Sequence, residues 1–312
     1  MLTRRHLRIK ALHAFFAYTQ AESQDLAKAM EELRESIDGI YELYLFELKI
    51  FWHFKIFLEG RLEIEKTKHH PNPTLIENLE SLMSIDFIDA MVHDDALVHQ
   101  WEQRKVHWTE NEDVLKGLFF EFWNADGKTG WLIETDQPSG EECITFFKRF
   151  YRDWVANQER LHQLYEDMSM HWSDDLDAAQ MMVVQTMDNA KKGRTVLVQL
   201  FKNDEDAAFA PDLFLQTVQR SADWREKMAN MASSWDFERM SPVDRCLVQL
   251  ALTELVTEKE VPVKVTINEA IELAKQYGSE KSPAFINGLL DAIAKEFIAS
   301  GDIKKVGRGL LN

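Results

Sequence analysis

The sequence predicts an all-α protein. Charged residues make up 29% of the 312-residue chain, Gly (12) and Pro (7) are scarce, and apolar residues recur at helical spacing over long stretches. A hydrophobic content of 45% supplies a sizeable core and excludes disordered and collagen-like classes, while the length suits one large domain or two ordinary ones.

In chain order, three zones follow. Residues 1–60 hold a basic start and two helical stretches. On the first, helical spacing puts Arg4 and Arg8 on one face with Arg5 beside it, and turns Leu7, Ala11, Ala14 and Phe15 inward. The second runs over 25–58 and weakens at Gly39. His69, His70, Pro71, Asn72 and Pro73 break the pattern, because proline removes an amide donor and biases its predecessor away from helix. Residues 61–206 form a helical insertion that packs its own helices, with Trp101, Trp108, Trp123, Trp131, Trp154 and Trp172 and with turns at 124–130 and 137–140. A faint echo relates 146–187 to 214–255, Trp172 matching Trp235, as a degenerate repeat.

Residues 207–312 carry the sharpest boundary signals. Ser241 as N-cap, Pro242 in the first turn and Asp244 at the third helical position open a helix that runs to about residue 256. Its apolar residues go nearly all the way round, which places it in the middle of a bundle. Thr266 and Glu269 form a capping box for the next helix, and Gly278 ends it. Ser282 and Pro283 start a last helix with Ile286, Leu289, Leu290, Ile293 and Phe297 on its core side.

A net charge of −17 argues against nonspecific nucleic-acid binding by the whole surface. The distribution points elsewhere: residues 1–20 hold Arg4, Arg5, Arg8 and Lys10 and no acid, and Lys304, Lys305 and Arg308 repeat this weakly after Asp302. Cys143 and Cys246 read as two reduced, packed thiols in a cytoplasmic protein. The most apolar stretch, 41–58, contains Glu42, Glu47, Lys49, His53 and Lys55, too many polar groups for hydrocarbon. The apolar run after the first arginines is short for an export signal and holds His13.

Catalytic and metal chemistry finds little support. Gly127-Lys128-Thr129 lacks the glycine a phosphate loop needs five residues earlier, where Phe122 stands. Glu159 and His162 have di-iron spacing but no second pair, and Asp174, Asp175 and Asp177 lack the glycine and terminal glutamate of a calcium loop. No glycine-framed serine is present, and neither cysteine sits in a basic context. The N-terminal helix is the better candidate, since its guanidinium groups can bridge phosphates or stack on unpaired bases, with His6, Phe16 and Tyr18 nearby.

Three stretches, 243–255 (VDRCLVQLALTEL), 261–275 (VPVKVTINEAIELAK) and 285–291 (FINGLLD), resemble the C-terminal half of NusB transcription antitermination factors, and Arg4-Arg5 with Arg8 and 11–16 is similar to that family's arginine-rich arm. The resemblance implies a NusB-like helical bundle with an added helical insertion, RNA binding without catalysis, and no cofactor or metal. It also implies pairing with NusE, a small-subunit ribosomal protein, and binding of the pair to boxA-type RNA within an RNA polymerase antitermination complex. By position, Arg4, Arg5, Arg8, Phe16 and Phe285 match RNA-facing residues, and Asp244 matches an acid that contacts NusE. Lys281 stands where some members have an acid beside the RNA, and adds to that surface; Pro283 with Ala284 replaces a more polar pair. A protein-interaction scaffold with a NusE-like partner and little RNA specificity is the alternative. A methyltransferase would need a separate α/β cofactor domain, for which no glycine-rich strand-to-helix turn is visible.

Overall fold

The computed structural model describes residues 1–22, 24–125, 127, 129–135, 137–192, 197–230 and 240–310. Among them are fourteen α-helices and no strand. The helices are α1 (Arg4–Gln20), α2 (Leu26–Lys66), α3 (Pro73–Met83), α4 (Asp86–Val92), α5 (Asp95–Gln103), α6 (Glu112–Asn124) and α7 (Trp131–Glu134), followed by α8 (Gly140–Asp153), α9 (Glu159–Met168), α10 (Trp172–Lys191), α11 (Asp204–Asn230), α12 (Pro242–Thr257), α13 (Val263–Tyr277) and α14 (Ser282–Ser300). They form two compact units, one of Met1 with residues 38–200 and one of residues 2–37 with 201–312. The chain divides at 37/38 and 200/201, whereas the sequence pattern places the boundaries at 60/61 and 206/207.

The 38–200 unit is built on the later turns of α2. From Leu43 to Leu58 this helix is apolar on most sides, and Tyr44, Phe46, Phe51 and Phe54 are fully buried. The tryptophans pack around it: the Trp101 and Trp108 indoles donate to the Leu45 and Phe46 carbonyls, each at 3.1 Å, and the Phe54 and Phe150 rings stack at 3.6 Å. Gly39 does not interrupt α2, which continues past it to Lys66. The 69–73 break falls as expected, with Asn72 Oδ1 capping α3 at the Leu75 amide (3.2 Å) and Pro73 in the first helical position. Ser139 and Glu142 cap α8 reciprocally, and Asp174 and Asp175 occupy the first turn of α10.

In the second unit α12 contacts α1, α11, α13 and α14, and its residues from Cys246 to Leu255 are all buried. This is the central helix its all-round apolar pattern predicts. The Ser241 hydroxyl accepts from the Asp244 amide at 3.1 Å, as its N-cap role requires. Ile286, Leu289, Leu290, Ile293 and Phe297 of α14 are buried as expected. The start of α13 differs. It begins at Val263 behind Pro262, so Thr266 and Glu269 lie inside the helix and cap nothing. Both side chains are drawn instead to groups on other helices. Gly278 does end α13: a Cβ there would lie 2.7 Å from both the Ala274 carbonyl oxygen and the Ser282 Cβ. Trp235 lies outside the described residues.

Candidate functional site

Helix α1 starts with its charges on the unfavourable end of the dipole. Its first turn holds no acid, and Arg4, Arg5 and Arg8 crowd the end that carries partial positive charge. Thr3 caps it, and His6 Nδ1 accepts from the Thr3 amide at 3.2 Å. Acids from other helices of the same unit offset the cationic turn. Arg4 Nε donates to Asp206 of α11 at 3.0 Å and Arg4 Nη1 to Glu258 at 3.4 Å. Arg5 grips Glu269 of α13 with two bonds of 2.9 and 2.8 Å. Arg8 grips Glu254 of α12 with two bonds of 2.7 Å and lies 3.7 Å from Glu269. The guanidinium groups of Arg4 and Arg8 sit 4.8 and 5.3 Å from the centre of the Phe209 ring.

Burial separates the three arginines. The Arg5 side chain is 49% exposed and that of Arg4 32%, whereas Arg8 and Glu254 retain only 8% and 3%. Burial works against the charge of Arg8, but the hydrogen bonds and charge of Glu254 outweigh it and hold the guanidinium more firmly protonated than usual. The bond from Arg5 holds the Glu269 carboxyl below its ordinary range, while burial pushes Glu258 above it. The Thr266 hydroxyl donates to Glu254 at 2.8 Å, which explains why it is unavailable as a cap. Lys305 donates to the Glu258 carbonyl at 2.8 Å, and Arg308 approaches Glu260 at 3.3 Å, so the basic tail also meets the acidic stretch that follows α12.

The remaining candidate residues are placed separately. Phe16 and Phe285 are half-buried, and Lys281 is exposed immediately before α14. His13 of α1 meets Tyr277 of α13 edge to face at 5.0 Å. Asp244 is buried at 7% exposure, with its Oδ1 lacking a hydrogen-bond partner. Arg8, expected to face RNA, is instead an interior residue, because Glu254 and Thr266 supply a pocket of matching charge. Sequence reasoning missed the acids Asp206, Glu254 and Glu258 altogether. Glu254 alone carried a signal, as a carboxylate inside an otherwise apolar central helix.

Among the described residues, no group of His, Cys, Asp or Glu could hold a metal ion, and no helix is long and apolar enough to cross a membrane. His162 Nε2 lies 3.0 Å from the Ala156 carbonyl oxygen. Both cysteines are unpaired and buried, as expected, and burial pushes the Cys143 thiol up to about 11.

Fold and site together define an all-helical protein whose arginine-bearing first helix is clamped by acids of a bundle centred on α12. The NusB family pattern matches residues 176–295, from within α10 through α11, α12 and α13 to most of α14. A transcription antitermination protein NusB of Salinibacter ruber is 38% identical over 130 residues, 41% of this chain and 81% of that protein. Another of Frankia casuarinae is 39% identical over 101 residues (32% of this chain, 75% of the relative), and one of a Thermotoga species is 56% identical over 62 residues (20% and 44%). No solved structure matches the chain. The chain belongs to the NusB family. The arginine-bearing helix lies outside the residues matched by the family pattern, and the match begins inside the segment read as an insertion.

Proposed function

We propose that this chain is a non-catalytic, cytoplasmic transcription antitermination factor that binds boxA-type RNA together with NusE in an RNA polymerase antitermination complex. The observation that carries the reading is the similarity of 176–295 to transcription antitermination proteins, in a chain whose α1 sets three arginines against that same helical framework. Arg4 and Arg5 take RNA phosphates or stacked bases, and Phe16, Lys281 and Phe285 extend the surface. Arg8 holds α1 in place for them, and Asp244 belongs to the NusE contact. Helices α3–α9 are an addition to the framework.

Exposed ion pairs contribute roughly 0–1 kcal/mol, so polyanionic RNA can displace Glu269 from Arg5 at small cost. Filter binding with boxA-like and scrambled RNA, with and without NusE, tests the reading. Replacing Arg4, Arg5 and Arg8 with alanine should weaken binding and lower the salt slope by up to ~0.7 for each RNA phosphate that is no longer neutralised. Unchanged affinity and slope in a folded variant would refute the role of the arm. The scaffold reading draws on one observation, that all three arginines already have acidic partners. It predicts NusE capture with equal, weak affinity for both RNAs.

A further inference from the structure

A second concave site lies far along the sequence from the arm, within the 38–200 unit. One face of α8 supplies Glu142, Thr145, Phe146, Arg149, Phe150 and Asp153, which recur at the three- and four-residue spacing of a helical stripe. Phe122 of α6, Trp131 of α7 and Trp154 complete a cavity of about 360 Å³, within the size range of small-ligand sites. Its wall is aromatic and held in register: Trp131 stacks on Phe146 at 5.1 Å, Phe122 meets Phe150 at 4.9 Å and Trp154 at 5.8 Å, and the Trp154 indole donates to the Leu118 carbonyl at 3.2 Å. Both tryptophans remain half-buried, with indole surface still uncovered.

The charges lining this cavity select the ligand. The Glu142 carboxylate is engaged at the N-terminus of α8, accepting from the Ser139 amide (2.8 Å) and hydroxyl (2.7 Å), and Asp153 is paired with Arg152 at 2.6 Å. Arg149 is exposed and, among the described residues, has no ion pair. A cage for an alkylated ammonium would need free carboxylates and no guanidinium, and a purely apolar guest would leave Arg149, Thr145 and the indole faces without a role. A flat heteroaromatic ring carrying an anion satisfies all of them. The geometry points to a nucleotide site, with the base against the indoles of Trp131 and Trp154 and the phosphate on Arg149. The same chemistry could come from a free mononucleotide or from one residue of a single-stranded RNA, and the site stands independently of the arm on α1.

Calorimetric titration of the full chain with adenosine 5′-monophosphate, adenosine, inorganic phosphate and a short oligoadenylate RNA tests it. The monophosphate should bind saturably and more tightly than adenosine or phosphate alone. Arg149→Glu, a change at an exposed position, should erase the advantage of the monophosphate over adenosine. Trp131→Ala should weaken both by at least about fivefold, the lower end of what removing one base–aromatic stack costs. Circular dichroism checks its fold, because Trp131 also packs on Phe146. Saturation by the monophosphate alone identifies a free nucleotide as ligand, and tighter binding of the oligonucleotide with the same residue dependence identifies an RNA strand; either supports the site. Absence of saturable binding by both, or binding that neither variant alters, overturns it. An Arg5→Ala chain should bind the monophosphate normally, which separates this site from the arm.

Discussion

Arg8→Ala is expected to be among the most destabilising single changes in the chain, although its side chain is charged and lies in the first helix. The structure fixes the reason. Arg8 makes two bonds of 2.7 Å to Glu254, and the two side chains retain 8% and 3% exposure. Truncation leaves a carboxylate in the interior with only the Thr266 hydroxyl, at 2.8 Å, as a partner. Breaking a buried pair on one side costs about 3–5 kcal/mol, whereas replacing both partners by apolar groups of similar volume is commonly neutral or stabilising. Against a typical domain stability of about 5–15 kcal/mol, the single change removes a large share. Arg8→Met with Glu254→Leu and Thr266→Val should therefore be more stable than Arg8→Ala. Urea unfolding gives the difference, and hydrogen exchange of α1 and α12 peptides locates it. An Arg8→Ala cost below about 1 kcal/mol, or a triple variant no better than the single one, would refute the argument that desolvation dominates here.

Four further outcomes follow from local geometry. Gly278→Ala should cost about 1–3 kcal/mol in chemical denaturation, because the new Cβ would meet the Ala274 carbonyl oxygen and the Ser282 Cβ at 2.7 Å. Burial holds the Glu47 carboxyl above its ordinary range, so the folded chain keeps a proton that the unfolded chain releases, and stability falls as pH rises from about 4.3 toward the folded value. Glu47→Gln should abolish that fall when unfolding is compared at acidic and neutral pH, retaining a partner for the Tyr151 hydroxyl that donates to Glu47. Arg5→Ala should change stability by no more than about 1 kcal/mol, since its pair with Glu269 is half-exposed, yet reduce RNA retention on filters. Asp244→Lys should abolish NusE capture in a pull-down, because a reversed charge at an interface costs several kcal/mol; a melting curve must accompany it, because Asp244 is also a buried acid in the first turn of α12.

The helices were legible where local chemistry decides them. Ser241-Pro242, Asn72-Pro73 and the all-round apolar α12 fixed boundaries or position because each acts within a turn or by burial alone. Gly39 misled slightly, since packing of a long buried helix outweighs a propensity cost of ~1 kcal/mol. Thr266 and Glu269 misled more: their spacing satisfies a capping box, but the nearest unmet charges were Glu254 and the arginines, which are distant in sequence and invisible to local pattern. The arm was legible as a cationic cluster, but its partners were not, because an acidic chain offers many carboxylates and only the fold selects four of them. The aromatic cavity on α8 was hidden likewise, although Trp131 and Trp154 had marked the region as packed.

The two kinds of arginine on α1 point to a division of labour. A cationic helix start is self-repulsive and opposed by its own dipole, so it forms stably only if carboxylates are brought to it. Every carboxylate brought near also competes with a phosphate ligand. Depth resolves the conflict. At Arg8 the pair is dry, which makes it costly to open and suits it to orienting α1. At Arg5 water screens the pair, so its strength is comparable to one phosphate contact, and a ligand offering several phosphates in a row gains more than Glu269 loses. Raising the salt concentration should therefore weaken RNA binding through Arg5 while leaving the Arg8–Glu254 anchor in place, and hydrogen exchange of α1 should stay constant over a range in which RNA affinity falls steeply.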